Sequence, residues 1–201
     1  MGCAGVEEHA GETSADRHGC QGLSHYEAAA PTRHESSGTK RQPVTPALHV
    51  QLAVADDAFA IAEMSRSLIE YGLPWTWRPA RVARSIAAPN TNVAVVREPG
   101  RLAGFGIMEY WDEDAHLVLF AVRAAGQRQG TGSAILAWLE ASAVAAGSKR
   151  IRVEARRDSV AARSFYNERG YHERSLERRM YSGSADGVTL EKWLRARGDA
   201  A

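Results

Sequence analysis

The chain has 201 residues, 44% of them hydrophobic, and its Lys/Arg and Asp/Glu nearly cancel to a formal net charge of +1. That is enough apolar material for one domain with a real core plus extensions. So balanced a charge points away from nucleic acid or a membrane surface as partner. The apolar stretches fall far short of the ~20 residues that a membrane span needs. The N-terminus lacks the basic start and apolar run of a signal peptide. Cys3 and Cys20 are the only cysteines, which leaves neither a disulfide framework nor a CxxC metal site. A cytoplasmic location is the expectation.

Residues 1–46 are dominated by Gly, Ser, Thr, His and Glu, with Tyr26 the only aromatic. Such a segment buries too little apolar area to offset its ordering entropy, so a disordered extension is expected. His9, His18, His25 and His34 lie in it at spacings that match no metal-ligand pattern. From residue 47 to 182 the texture is that of a folded domain. His49 to Val54 reads as a first strand. Asp56 or Asp57 can cap a helix with the apolar stripe Ile61, Met64, Leu68 and Ile69, closed by Gly72 and Pro74. Trp75-Thr76-Trp77-Arg78-Pro79 leads into a short helix with Val82 and Ile86 on one face. Asn92 to Arg97 and Leu102 to Tyr110 are strand-like, joined by a Glu98-Pro99-Gly100-Arg101 turn of type I or II. The acidic turn Asp112-Glu113-Asp114 leads to a strand from Ala115 to Val122. A glycine loop, a helix from Ser133 to Ala146, a strand from Arg150 to Ala155, a helix from about Ser159 to Arg169 and a last strand from Tyr171 to Met180 follow. The order of elements predicts a single α/β domain with a mixed sheet and helices on both faces. Residues 183–201 read as a tail with a short helix over Leu190 to Arg197.

The glycine loop is the strongest chemical signal. Gln127-Arg128-Gln129-Gly130-Thr131-Gly132 sits between an apolar strand and a helix. A helix N-terminus there presents free N–H groups and a partial positive charge of roughly half a unit. Gly130 and Gly132 let a phosphate approach the backbone, and Arg123 and Arg128 add cations. Neither the Walker Gly-Lys-Ser/Thr nor the dinucleotide G-x-G-x-x-G spacing is present.

The pattern Gln/Arg-x-x-Gly-x-Gly resembles the pyrophosphate loop of the GCN5-related N-acetyltransferases, the GNAT superfamily. The run Arg152 to Tyr171, with a strand, a helix opening at Ser159, the pair Phe165-Tyr166 and the stop Gly170-Tyr171, resembles the second half of the same core. The resemblance covers roughly Val50 to Tyr181. It implies acetyl-CoA as co-substrate, with the backbone of Phe120, Ala121 and Val122 along the pantetheine arm and the loop Arg128, Gln129, Gly130, Thr131, Gly132 and Ser133 on the pyrophosphate. The family often carries Pro where Ala124 stands, Arg where Ser133 stands, and Asn where Ser159 stands. Ser159 can still donate one hydrogen bond to the cofactor.

Tyr166 occupies the place of the family's general acid, and a phenol of ordinary pKa near 10 can protonate a thiolate whose conjugate acid lies near 8.5. Glu154, twelve residues earlier, matches the glutamate base of the ribosomal-protein alanine N-acetyltransferases, the nearest subfamily in motif pattern. Glu109 and His116 are its rivals, His116 having the right intrinsic pKa. Trp75, Trp77, Tyr110 and Trp111 either line an acceptor pocket or cover the sheet, and Asp112-Glu113-Asp114 either attracts an ammonium or forms a solvated turn. The domain has no cysteine for an acetyl-enzyme, so direct attack by a primary amine is expected, from a small molecule, a lysine side chain or a protein N-terminus. The rival reading is a non-catalytic acyl-CoA-binding regulatory module, which would not need Tyr166. Metal, nucleic acid and membrane are not expected as partners, and the protein is expected as a monomer or homodimer.

Overall fold

A computed structural model describes residues 48–181 and 185–194. The whole extension expected to be disordered, residues 1–46, lies outside them, as does the end of the tail.

The described residues form seven strands and four α-helices. In chain order they are β1 (Val50–Leu52), α1 (Asp57–Leu68), α2 (Pro79–Ala87), β2 (Thr91–Glu98), β3 (Arg101–Trp111), β4 (Asp114–Val122), α3 (Thr131–Ala145), β5 (Arg150–Arg156), α4 (Val160–Asn167), β6 (His172–Tyr181) and β7 (Ala185–Trp193). They make one sheet in the order β1-β2-β3-β4-β5-β7-β6, with β4 and β5 parallel and every other pair antiparallel. The expected mixed α/β architecture is therefore present. One element differs in kind. Where a helix was expected from Leu190, β7 runs to Trp193 and sits between β5 and β6. The alternation of Val188, Thr189, Leu190 and Glu191, with Val188 and Leu190 in the core, satisfies a strand period that a helical reading of a short Leu/Trp run overlooks. The folded unit thus continues past residue 182.

Two cores lie on the two faces of the sheet. Val93, Val95, Phe105 and Ile107 meet Ile61, Met64 and Val82 of α1 and α2. Ala94, Val96 and Met108 meet Ile135, Leu136 and Leu139 of α3 on the other side. Burial on both faces explains why β2 and β3 read as continuous apolar runs rather than alternating ones. Gly104 and Gly106 on β3 let α3 approach closely: a Cβ at Gly106 would stand 2.7 Å from Leu139 Cδ1.

Local signals set the ends of the elements. Gly100, at φ +74° after Pro99, supplies the positive φ that the third position of a type II turn requires. Pro79 opens α2, where its missing N–H costs nothing. Neither aspartate caps α1 as expected. Asp56 makes no side-chain cap, and Asp57 instead accepts the Val54 N–H at 2.8 Å and the Arg97 guanidinium, tying the start of α1 to β2. Arg97 holds the Asp57 carboxyl below its ordinary value. Of the expected stripe on α1, Ile61 and Met64 are fully buried, while Leu68 is exposed at its end.

Candidate active site

β4 and β5 pair only from Asp114/Arg150 to Leu117/Val153. Beyond that point β4 runs on to Val122 and β5 to Arg156 without pairing to each other. The two parallel strands splay apart and open a cleft. A bulge in β4 marks where it begins: Met108 pairs with Leu117 but Ile107 with Leu119, leaving Val118 as the extra residue. The extra residue reverses the faces. Ala115 and Leu117 pack on the α3 side, whereas Leu119 and Ala121 pack on the α1/α2 side.

A cavity of about 550 Å³ fills the splay. Phe120, Glu154, Ser159 and Tyr166 all line it, and so does His116. Ala121 and Val122 carry β4 onward to the glycine loop. There Arg128 and Gly130 adopt positive φ (+58° and +86°), and α3 begins at Thr131, two residues earlier than the sequence suggested. Gly130 is its N-cap, with no side chain capping the first amides. Gly132 faces the Phe165 ring, which a Cβ there would approach to 3.2 Å. Gln129 and Arg128 are exposed. This is an anion-accepting helix start. Arg123 is anchored by its Nε, which donates to the Leu102 carbonyl at 2.9 Å. Arg169, just after α4, brings a further cation. Its guanidinium donates to Ser133 Oγ at 2.6 Å and to the Phe165 carbonyl, and it lies 3.8 Å over the Phe165 ring. A cation therefore stands at the first turn of α3 although residue 133 is serine.

Tyr166 is buried in an aromatic cluster with Phe120, Phe165 and Tyr171, at ring separations of 6.2, 5.3 and 5.5 Å. Ser159 stands at the N-cap of α4 but its hydroxyl makes no cap, so it remains directed by the cleft rather than by the helix. His116 and Glu154 come together across β4 and β5, Nε2 to Oε1, at 3.8 Å. The His116 Nε2 is buried with no hydrogen-bond partner. Burial pushes the imidazole below its ordinary value; Glu154 and Glu109 oppose that shift and Arg152 assists it. Glu109 pairs with His116 across β3 and β4 but does not line the cavity.

On the acceptor side the aromatics separate. Trp77 is buried and lines the cavity, whereas Trp75 is covered by the guanidiniums of Arg66 and Arg78. Tyr110 is held by Asn92, and Trp111 is half exposed. The acidic triplet lies at the closed end of the β4–β5 pair, and two of its three carboxylates are paired there, Glu113 with Lys149 and Asp114 with Arg150. Three charged lining residues are not singled out for the site by the sequence: Glu70, Arg81 and Arg156. Nothing in their local sequence marks them, since the fold alone brings them to one cavity.

These features define an α/β protein with a cleft between splayed parallel strands and an uncapped helix start at its end. Residues 75–184, more than half of the chain, match the acetyltransferase (GNAT) domain, and the chain belongs to that family of acetyltransferases. Sequence comparison with curated proteins finds no match. Among solved structures, the ribosomal-protein-S18-alanine N-acetyltransferase of Escherichia coli is similar, with 21% identity, a TM-score of 0.62, and coverage of 76% of this chain and 97% of that one. Ard1 of Thermoplasma volcanium shares 22% identity at a TM-score of 0.64, covering 73% and 97%. The PaiA N-acetyltransferase of Thermoplasma acidophilum, in complex with coenzyme A, shares 15% identity at 0.62, covering 73% and 99%. At such identities the likeness is one of fold.

Proposed function

We propose that this protein transfers an acetyl group from acetyl-CoA directly to a primary amine. The observation that carries the reading is that Tyr166, Glu154 and His116 line one cavity between splayed strands whose far end meets the glycine loop. Family membership and the coenzyme A complex of the PaiA relative support acetyl-CoA as donor. The uncapped amides of α3, Gly130 and the Arg169 cation suit its phosphates, and β4 from Phe120 to Val122 suits the pantetheine arm.

The chemistry asks two things of the side chains. An ammonium acceptor must lose a proton before its nitrogen attacks the thioester carbon, and the departing sulfur must gain one as the C–S bond breaks. Glu154 takes the first proton, with the neutral His116 beside it as partner or relay. Tyr166 O–H supplies the second. A domain without cysteine needs no acetyl-enzyme. Among the described residues, no helix is long and apolar enough to cross a membrane.

Free-thiol release from acetyl-CoA over a panel of amines tests this. Tyr166→Phe should lower kcat by about 10²-fold or more, with coenzyme A binding little changed. The acid limb of kcat/KM should fall below the ordinary histidine value of about 6.5, because burial favours the neutral imidazole. A limb that moves in His116→Gln gives the base to the pair. One that stays in His116→Gln and disappears in Glu154→Gln gives it to Glu154 alone. Coenzyme A binding without turnover on any amine would replace this reading with that of a binding module.

A further inference from the structure

Part of the cavity wall comes from the end of α1, the loop after it and the start of α2, and its charge is unusual for a site that accepts an amine. Arg81 lines it, the guanidinium 3.9 Å over the ring of Trp77, and is exposed. Among the described residues no carboxylate pairs with it. Arg156 lines the cavity from the end of β5. Its Nη1 donates to the Tyr71 carbonyl at 3.4 Å, and its Nε and Nη2 donate to the two carboxylate oxygens of the exposed Asp158 at 3.3 and 3.4 Å. The one carboxylate on this wall, Glu70, is already committed. It accepts the Thr76 N–H at 2.7 Å, the Thr76 hydroxyl at 2.6 Å, the Ser65 hydroxyl at 3.0 Å and the Trp77 N–H. The acidic triplet that would draw a cation lies outside the cavity lining, at the closed end of the β4–β5 pair, with Glu113 and Asp114 already paired.

The cavity is therefore polar in a directed way. One side offers Glu154 and a neutral imidazole, which suit an amine. Arg81 offers a planar guanidinium fork that suits a carboxylate, and Arg156, two residues beyond Glu154 on β5, adds a second cation that a substrate anion would share with the exposed Asp158. A polyamine would meet the same two cations and be repelled. We propose that the acceptor is a small amine bearing its own carboxylate, an amino-acid-like molecule whose anion is held by Arg81 and Arg156 while its amine faces Glu154 and His116. The proposal rests on the acetyl-transfer reading and names the substrate class of that same site.

The test sets each candidate amino acid against its own carboxamide, which keeps the amine and removes the charge. Putrescine, spermidine and a short peptide with a free N-terminus complete the panel. Wild-type protein should favour the acid over the amide by about tenfold or more in kcat/KM, the range of a charge-assisted hydrogen bond. Arg81→Gln should bring the ratio close to one without changing the KM for acetyl-CoA, and Arg81→Lys should restore part of it. Calorimetric titration of the same acid and amide into coenzyme A-loaded protein reads the preference without turnover, so failure of catalysis and failure of this proposal stay distinct. Equal binding of acid and amide, an Arg81→Gln variant that weakens both alike, or turnover confined to polyamines or peptides would each overturn it.

Discussion

Whereas the stretch proposed to hold the donor runs without a break from Phe120 to Ser133, the wall proposed for the acceptor is gathered from α1, the loop after it, α2, β4 and β5. The first is shaped by the backbone itself: a bulge at Val118, positive φ at Arg128 and Gly130, and a helix that starts uncapped. The second is shaped by side chains that meet across long stretches of sequence. Asp57 is bound by Arg97, Glu70 gathers the 76–77 backbone, and Arg156 touches Tyr71. One side is a property of local conformation and the other of tertiary packing, so each should fail independently.

The largest effect is expected where the acceptor wall is tied together. Glu70 is buried and accepts hydrogen bonds from Ser65, Thr76 and Trp77. Glu70→Ala leaves the amides of Thr76 and Trp77 without their acceptor and opens space beneath Trp77. Removing several buried acceptor contacts at once should cost about 3 kcal/mol, read as a lower denaturant midpoint. Because Trp77 carries Arg81, the acceptor KM should rise as well, while coenzyme A affinity stays near wild type. A variant that lost both ligands equally would mean that the two sides are not separable.

Gly130→Ala is the counterpart on the donor side, with a smaller effect. The nearest atom to a Cβ there is Leu48 Cδ1 at 3.5 Å, an ordinary contact, so sterics with the rest of the protein do not oppose the change. The cost lies in φ +86°, which an L side chain adopts at about 1–2 kcal/mol. If the loop relaxes to avoid that cost, the amides of α3 turn away from the pyrophosphate. Weaker coenzyme A binding with an unchanged acid-over-amide preference is the expected result, the reverse of Glu70→Ala.

The same division explains what the sequence makes legible. The glycine loop, the Phe165-Tyr166 pair and the Glu154 spacing are short-range patterns, and the structure brings Phe120, Glu154, Ser159 and Tyr166 to one cavity. Strands β2 to β5 follow from their apolar runs and turn residues. Arg81, Arg156 and Glu70 carry no such pattern; each is an ordinary surface-type residue until the fold closes around it. Arg169 shows the same limit in a milder form. Ser133 looks like a missing cation when read along the chain, and only the packing of α4 beside α3 supplies one. The helical reading of Leu190 to Arg197 fails because the alternation that marks β7 starts upstream of it, at Val188, and because a strand entering between β5 and β6 from the far end of the chain also depends on its neighbours.

The smallest effect expected is at Glu113, and its smallness carries information. Read along the chain, Asp112-Glu113-Asp114 is the obvious lure for an ammonium group. In the fold, Glu113 and Lys149 form a surface pair with both side chains more than 60% exposed. The backbone link between them, Lys149 N–H to the Glu113 carbonyl at 2.6 Å, does not depend on the carboxylate. Exposed pairs of this kind contribute about 0.2–1 kcal/mol. Glu113→Gln should therefore move Tm by no more than about 2–4 °C. It should leave the acceptor KM unchanged, since the residue sits at the closed end of the β4–β5 pair, away from the splay. A raised KM for amines in this variant would place acceptor recognition at the acidic turn, and the reading of Arg81 and Arg156 as the wall that selects the substrate would fall with it.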